Sequence, residues 1–330
     1  MEQAKLDVLG IGNAIVDVLV RVGDGFLVQR DLPKGGMSLI DAERALALHG
    51  DLEETTEVSG GSAANTVVGV AAFGGRAGYV GKVKADHLGT VFARDIRAAG
   101  VAFDTRPAAD GPPTARCFVL VTPDAQRTMC TFLGASVNLA ESDVDEKQVA
   151  GARVTYLEGY LWDAPQARKA FAKAVAAARK NGRKIAFTLS DPFCVDRYRA
   201  DFQRFVKEDV DILFANEAEI TSLYAAASFD EALQAVKGHC EVAALTRSAK
   251  GSVIVGRGDV HVIDAHTLGP IVDTTGAGDL YAGGFLYGLA QGHGLGVCGR
   301  LGSLAAGEVI THLGARPVAD LKAYAAELLR

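Results

Sequence analysis

From residue 152 onward, short apolar runs alternate with amphipathic ones, and this alternation narrows the possible folds more than any other feature. "ARVTYLEGYLW" (152–162) reads as a strand. "APQARKAFAKAVAAARKNG" (164–182) reads as a helix, with Asp163 as its N-cap and Asn181-Gly182 as its stop. "KIAFTLS" (184–190), "VDILFAN" (210–216) and "CEVAALT" (240–246) read as further strands. "FQRFVKE" (202–208) and "EAEITSLYAAA" (217–227) supply the helices between them. Near the start, Val8–Ile11 reads as one more strand. Strand–helix–strand order of this kind predicts a mostly parallel sheet with helices on both faces, a three-layer α/β/α sandwich.

Two regions break the rhythm. "PTARCFVLVTPDAQRTMCTFLG" (113–134) reads as two strands joined by a turn at 122–125, and "GSVIVGRGDVHVIDA" (251–265) as another hairpin. The first, together with much of Val16 to Asp41, lies far from any helix signal. These segments predict a small separate β layer, built from about 14–45 and 111–136. No Pro/Ser-rich linker, repeat or low-complexity tract divides the 330 residues, so a single domain spanning 1–330 is expected.

Composition excludes several classes. The net charge of −6 speaks against a nucleic-acid partner. The five cysteines are widely spaced without a C-x-x-C pair, which fits scattered reduced thiols and neither zinc nor a redox dithiol. The first residues lack the basic and apolar regions of a signal peptide. The uncharged stretches Val58–Gly75 and Leu280–Gly299 carry polar residues or many glycines, so buried helices are expected there rather than membrane spans. A cytoplasmic protein is the resulting expectation.

The chemistry concentrates in "DTTGAGD" (273–279). Glycines at a strand-to-helix turn let backbone N–H groups converge on an anion, and a helix N-terminus adds partial positive charge. Gly276, Ala277 and Gly278 would form such an anion hole, with Asp279 at its mouth able to accept a proton from an attacking hydroxyl. The helix dipole should favour the ionised form of Asp279. Taken alone, the same residues could be a flexible turn followed by an ordinary first-turn acid. No P-loop is present, because "GYVGKV" has Val83 where Ser or Thr is required. A dinucleotide fingerprint also fails, since Gly10-x-Gly12-x-x is followed by Ile15, which weakens an NAD-dependent oxidoreductase reading. A non-catalytic nucleoside sensor would require a lost base, and Asp279 is in place.

"DTTGAGDLYAGGF" (273–285) resembles the C-terminal signature of the ribokinase-like (PfkB) carbohydrate kinase family. "VSGGSAANTVVGVAAFG" (58–74) is similar to its N-terminal signature, "VGKVKADHLG" (80–89) to the stretch after it, and "ANEAE" (215–219) to its N-x-x-E motif. These matches run in family order from about Gly10 to Gly314. The resemblance implies the family's three-layer fold with a small β-sheet lid, and an ATP-dependent kinase using Mg²⁺. It implies that Asp17, with Asn13 beside it in "GIGNAIVD", binds sugar hydroxyls. It places Gly60, Gly61 and Asn65 at the same substrate, Asn216 and Glu219 at Mg²⁺ and the ATP phosphates, and Arg127 on the lid near the transferred phosphate. Asn216 and Glu219 also satisfy a helix capping box on their own terms. Thr246, Ser248 and Gly251 match a nucleotide-lining T-x-G-x-x-G segment in which Ser248 replaces the middle glycine. Gly314 in "HLGA" falls near the adenine of ATP.

Within the family, the opening "GIGNAIVD", the hairpin carrying Arg127 and "TLSDPFCVDRY" (188–198) are most similar to adenosine kinases. The implied reaction is phosphorylation of adenosine on its 5′-hydroxyl to give AMP, a purine-salvage step. Another nucleoside, ribose or fructose is the alternative acceptor. Tyr160, Trp162 and Phe118 are candidates for a base slot, with the core as the competing place for large aromatics. Dependence on a monovalent cation such as K⁺, and the choice between monomer and homodimer, stay open.

Overall fold

The computed structural model describes residues 4–124, 126–256 and 258–330. Ala125, in the expected 122–125 turn, and the first three residues lie outside them. In chain order the strands are β1 (Leu6–Ile11), β2 (Ile15–Arg21), β3 (Met37–Leu39), β4 (Thr56–Gly60), β5 (Ala77–Val80), β6 (Val101–Phe103) and β7 (Ala115–Val121). They continue as β8 (Arg127–Phe132), β9 (Ala152–Glu158), β10 (Lys184–Thr188), β11 (Ile212–Asn216), β12 (Val242–Thr246), β13 (Ser252–Val255) and β14 (Val260–Ile263). The helices are α1 (Asp24–Gln29), α2 (Ala42–Asp51), α3 (Ser62–Ala72), α4 (His87–Ala98), α5 (Glu146–Ala150) and α6 (Pro165–Lys180). They continue as α7 (Pro192–Glu208), α8 (Glu217–Tyr224), α9 (Phe229–Val236), α10 (Ala277–Ala290), α11 (Leu295–Val309) and α12 (Leu321–Leu328).

Nine strands form one sheet in the order β14-β13-β12-β11-β10-β9-β1-β5-β6. Pairing is parallel from β12 through β6, and antiparallel at β13 and β14. The strand β11 shows why the sheet is covered twice. Ile212 and Phe214 enter the core with α3, α4 and α10, while Leu213 and Ala215 enter the core with α6, α7 and α8. A parallel strand buried on both faces needs such a continuous apolar run. The expected three-layer α/β/α sandwich is the fold observed.

The second sheet has the order β3-β8-β7-β2-β4. Its strand β4 falls outside the expected segments 14–45 and 111–136. The stretch Thr56–Gly60 has a single apolar side chain, Val58, and gives a weak strand signal, and pairing with β2 supplies its order. Helix α1 falls within Val16–Asp41, which carries no clear helix signal, and α2 follows directly after that stretch. They cover one face of this sheet, burying Val18, Phe118, Leu120 and Cys130 against Leu27 and Leu48. Side chains alternate along β2, so Asp17 points away from that covered face.

Three local expectations change. The run 152–162 is a strand only to Glu158, and Gly159–Asp163 turns as a 3₁₀ segment. Asp163 does not cap α6. Ala164 occupies the cap with Pro165 behind it, and Asp163 instead accepts hydrogen bonds from Tyr198 and Arg197. The helix expected at 202–208 starts ten residues earlier, at Pro192, capped by Asp191 and kinked at Tyr198. All five cysteines are free. Among the described residues, no helix is long and apolar enough to cross a membrane.

Candidate active site

Ligands in open α/β sheets bind beyond the carboxyl ends of the strands. Here β10, β11 and β12 end at Thr188, Asn216 and Thr246, and all three line one cavity of about 270 Å³. Ser62, Tyr160, Glu219, Gly276, Gly278 and Asp279 are also among its lining residues. Residues from widely separated motifs therefore share one small space.

The donor-side wall is the N-terminus of α10. Gly276 caps it in the left-handed conformation, φ +78°. A side chain there would also strike Ala315, whose Cβ would lie 2.6 Å away. The first-turn N–H groups of a helix lack intrahelical partners and carry the positive end of its dipole. Asp279 is the third residue of α10. Its Oδ1 accepts from Ser62 Oγ at 2.6 Å and its Oδ2 from Asn65 Nδ2 at 2.9 Å. Burial raises the pKa of Asp279, opposed by those two bonds and by the charge of Arg316. Burial therefore acts against the ionised form that the helix dipole should favour. Asn65 Oδ1 is buried without a partner, an acceptor left available beside Asp279.

On the other side, Asp17 projects from β2 beside Gly60, whose absent side chain would collide with the carboxylate. Burial lifts the pKa of Asp17 to about 6, with Arg316 and Arg127 pulling it down and Asp279 pushing it up. Gly61 links β4 to α3 at φ +98°, packed on the Asn13 carbonyl where no Cβ would fit. Asn13 is placed differently from the expectation. It is 2% exposed, and its amide is spent internally, donating to Glu158 at 2.6 Å and accepting from Ser136 at 2.8 Å. Glu158 also accepts from the backbone of Asn13 and Ala63, and burial raises its pKa to about 7.

Arg127 begins β8 rather than sitting in the turn before it, and reaches the loop ahead of α10. It pairs with Asp273 at 2.5 Å and donates to Thr275 Oγ1 at 3.1 Å. Its Nε and Nη2 are buried without partners. Asp273 further accepts from Thr275 and from the Gly314 backbone.

Asn216 and Glu219 form the complete capping box of α8. Glu219 is 6% exposed, and burial raises its pKa to about 7. Among the described residues no group of three or more His, Cys, Asp and Glu could hold a metal. Mg²⁺ keeps several waters and needs few protein oxygens, so this pair fits an outer contact to it. Ser248 adopts φ +51°, the backbone the matching glycine would take without strain. It borders a neighbouring cleft with Asn216 and Thr246. Gly251 packs against the Ile263–Ala265 backbone, away from the cavity.

The aromatic candidates separate. Tyr160 lines the cavity. Trp162 is core, within 5.1–6.2 Å of Phe171, Phe187, Phe202 and Phe205 by ring centroid. Phe118 is core of the small sheet. Four site residues escaped the sequence reading. Ser62 and Asp273 lie inside the quoted motifs, and Glu158 lies within the predicted strand 152–162 and ends the observed β9. Arg316 carries no local signal.

The model of the pfkB family carbohydrate kinases matches residues 30–321. An adenosine kinase from Sinorhizobium meliloti is 49% identical, with 98% of this chain and 99% of that one covered and a TM-score of 0.91. A probable sugar kinase from Rhizobium etli is 48% identical over 98% and 99% of the two chains, with a TM-score of 0.92. A 5-dehydro-2-deoxygluconokinase of Listeria monocytogenes is 29% identical, covering 90% of this chain and 96% of that protein. Matched across nearly its whole length, the chain belongs to the pfkB family of carbohydrate kinases, phosphotransferases that use ATP to act on a hydroxyl group of a sugar or nucleoside.

Proposed function

We propose that this kinase transfers the γ-phosphate of ATP to the 5′-hydroxyl of adenosine, giving AMP and ADP. The observation that carries the reading is the 49% identity over 98% of the chain to a structure described as an adenosine kinase. Tyr160, which lines the cavity together with Phe214 and Tyr281, supports it as an aromatic side chain available to a purine.

In this reading Asp17, Gly60, Gly61 and Asn65 hold the ribose, and Asn13 positions Gly61. Asp279 takes the proton of the 5′-hydroxyl as its oxygen bonds to the γ-phosphorus, and the bond from that phosphorus to the β–γ bridging oxygen breaks. The N-terminus of α10, through Gly276, Ala277 and Gly278, stabilises the transferring phosphoryl. The unpartnered donors of Arg127 suit the same anion. Asn216 and Glu219 would hold hydrated Mg²⁺, which supplies charge neutralisation to the phosphates. Thr246, Ser248, Gly251 and Gly314 border the nucleotide, Gly251 by shaping the turn rather than by contact.

A sugar acceptor is the second reading, favoured by the 48% identical probable sugar kinase and the curated 5-dehydro-2-deoxygluconokinases. A screen with Mg-ATP over adenosine, inosine, guanosine, cytidine, ribose, fructose and 5-dehydro-2-deoxygluconate separates them. Adenosine should give the highest kcat/KM. A higher value for any of the sugars would replace the substrate assignment.

A further inference from the structure

Arg316 sits in the loop between α11 and α12, about 300 residues from Asp17 in sequence. Its Nη2 donates to Ser59 Oγ at 3.3 Å and its Nη1 to the Ala64 carbonyl at 3.4 Å. Those two residues bracket the turn Gly60-Gly61-Ser62. Gly60 backs Asp17, and Ser62 donates to Asp279. One planar guanidinium therefore spans both ends of the segment that sets the acceptor side of the site. Both bonds are long, and Nε is buried with no partner at all. Arg316 makes no direct ion pair among the described residues, whereas Arg127, the other cation near Asp17, is paired with Asp273.

The neighbours of Arg316 matter as well. Gly314 donates to Asp273, and Ala315 fills the space over Gly276. Three consecutive residues thus touch the partner of Arg127, the cap of α10 and the acceptor turn. We propose that Arg316 is a positioning residue that clamps the Ser59–Ala64 turn and keeps Asp17 and Asp279 ionised together for acceptor binding and proton removal. The two carboxylates repel each other, and a cation whose charge acts on both offsets that repulsion. Arg127 and Cys117 also face Asp17. Tyr156, Glu158, Tyr160 and Glu219 face Asp279. Asp95 and Tyr79 face Arg316 itself. None of these adds an unpaired cation.

The inference rests on Asp17 and Asp279 acting as proposed above, whichever acceptor the kinase prefers. The test compares wild type, Arg316→Met and Arg316→Lys on the best acceptor of the screen, across pH. Arg316→Met should raise the acceptor KM at least tenfold, leave the ATP KM within twofold, and move the acid limb of kcat/KM to higher pH by about one unit. Arg316→Lys should restore the acid limb but keep the raised acceptor KM, since an ammonium cannot span both ends of the turn. An acid limb and acceptor KM in Arg316→Met equal to wild type would overturn the proposal. Should Arg316→Met unfold, Arg316→Lys decides it, and a wild-type acceptor KM in that variant overturns the clamp. Asp279→Asn run alongside separates the failures: full activity there removes the base assignment and with it the Asp279 half of the Arg316 role, while the clamp on the Ser59–Ala64 turn is still read by the acceptor KM.

Discussion

Asp279 and Arg316 stand at opposite ends of legibility. Asp279 announces itself in a seven-residue motif, because the chemistry of a helix N-terminus is local. Asn65 and Ser62 become its partners through a fold that brings α3 beside α10, yet they too lie in a quotable motif. Arg316 is one arginine in a loop, and its meaning depends on contacts with Ser59 and Ala64 some 250 positions away. Sequence spacing carries no trace of such a contact. If Asp279 is the proton acceptor, Asp279→Asn should lower kcat by about 10²–10⁴-fold while ATP binding by calorimetry changes little. An amide of the same shape keeps one acceptor for Ser62, so the loss reads chemistry rather than folding. The structure also adds burial to the setting of this residue, and burial raises its pKa.

At the scale of elements, the glycines of α10 divide by what they face. Gly283 lies against α3, where an added Cβ would come 2.7 Å from the Thr66 carbonyl oxygen and 3.2 Å from the Gly69 Cα. Gly284 faces α11 and would strike the Leu301 carbonyl. A Cβ on Gly278 would meet nothing within 4 Å. Gly284→Ala should therefore destabilise by about 1–3 kcal/mol in urea titration, as overpacked cores do. Gly278→Ala should leave stability within about 0.5 kcal/mol. Equal stability of the two variants would contradict this division. Most elements were readable because apolar runs of parallel strands are continuous and long. The exceptions have physical causes. In β4, Thr56 and Glu57 hide the strand until β2 pairs with it. The first half of α7 begins with Asp191-Pro192, a cap and first-turn pair that also reads as a loop, and the kink at Tyr198 interrupts its period.

Across the whole molecule, the site gathers buried and half-buried carboxyl groups from separate layers. Burial raises Asp17 to about 6, Glu158 to about 7 and Glu219 to about 7. Each holds its proton more tightly in the folded state than in the unfolded chain. Their contribution to stability is complete below about pH 4 and is lost as pH rises through 6 and 7. The ligand-free protein should accordingly lose thermal stability between pH 5 and pH 8, and Asp17→Asn should flatten part of that slope. A melting temperature that rises over this interval, or a slope unchanged by Asp17→Asn, would refute the linkage.

The sheet order places β1 between β9 and β5, so the amino-terminal strand is the seam of the molecule. Residues proposed for the acceptor, from Asn13 to Asn65, hang from that seam on one side. Residues proposed for ATP, from Asn216 to Gly314, belong to the other wing. Such a division lets evolution redraw one substrate without disturbing the other. Tyr160 and Arg316 cross that division, so a change of acceptor would centre on the first 65 residues and reach two side chains beyond them while the phosphate-facing residues stay in place.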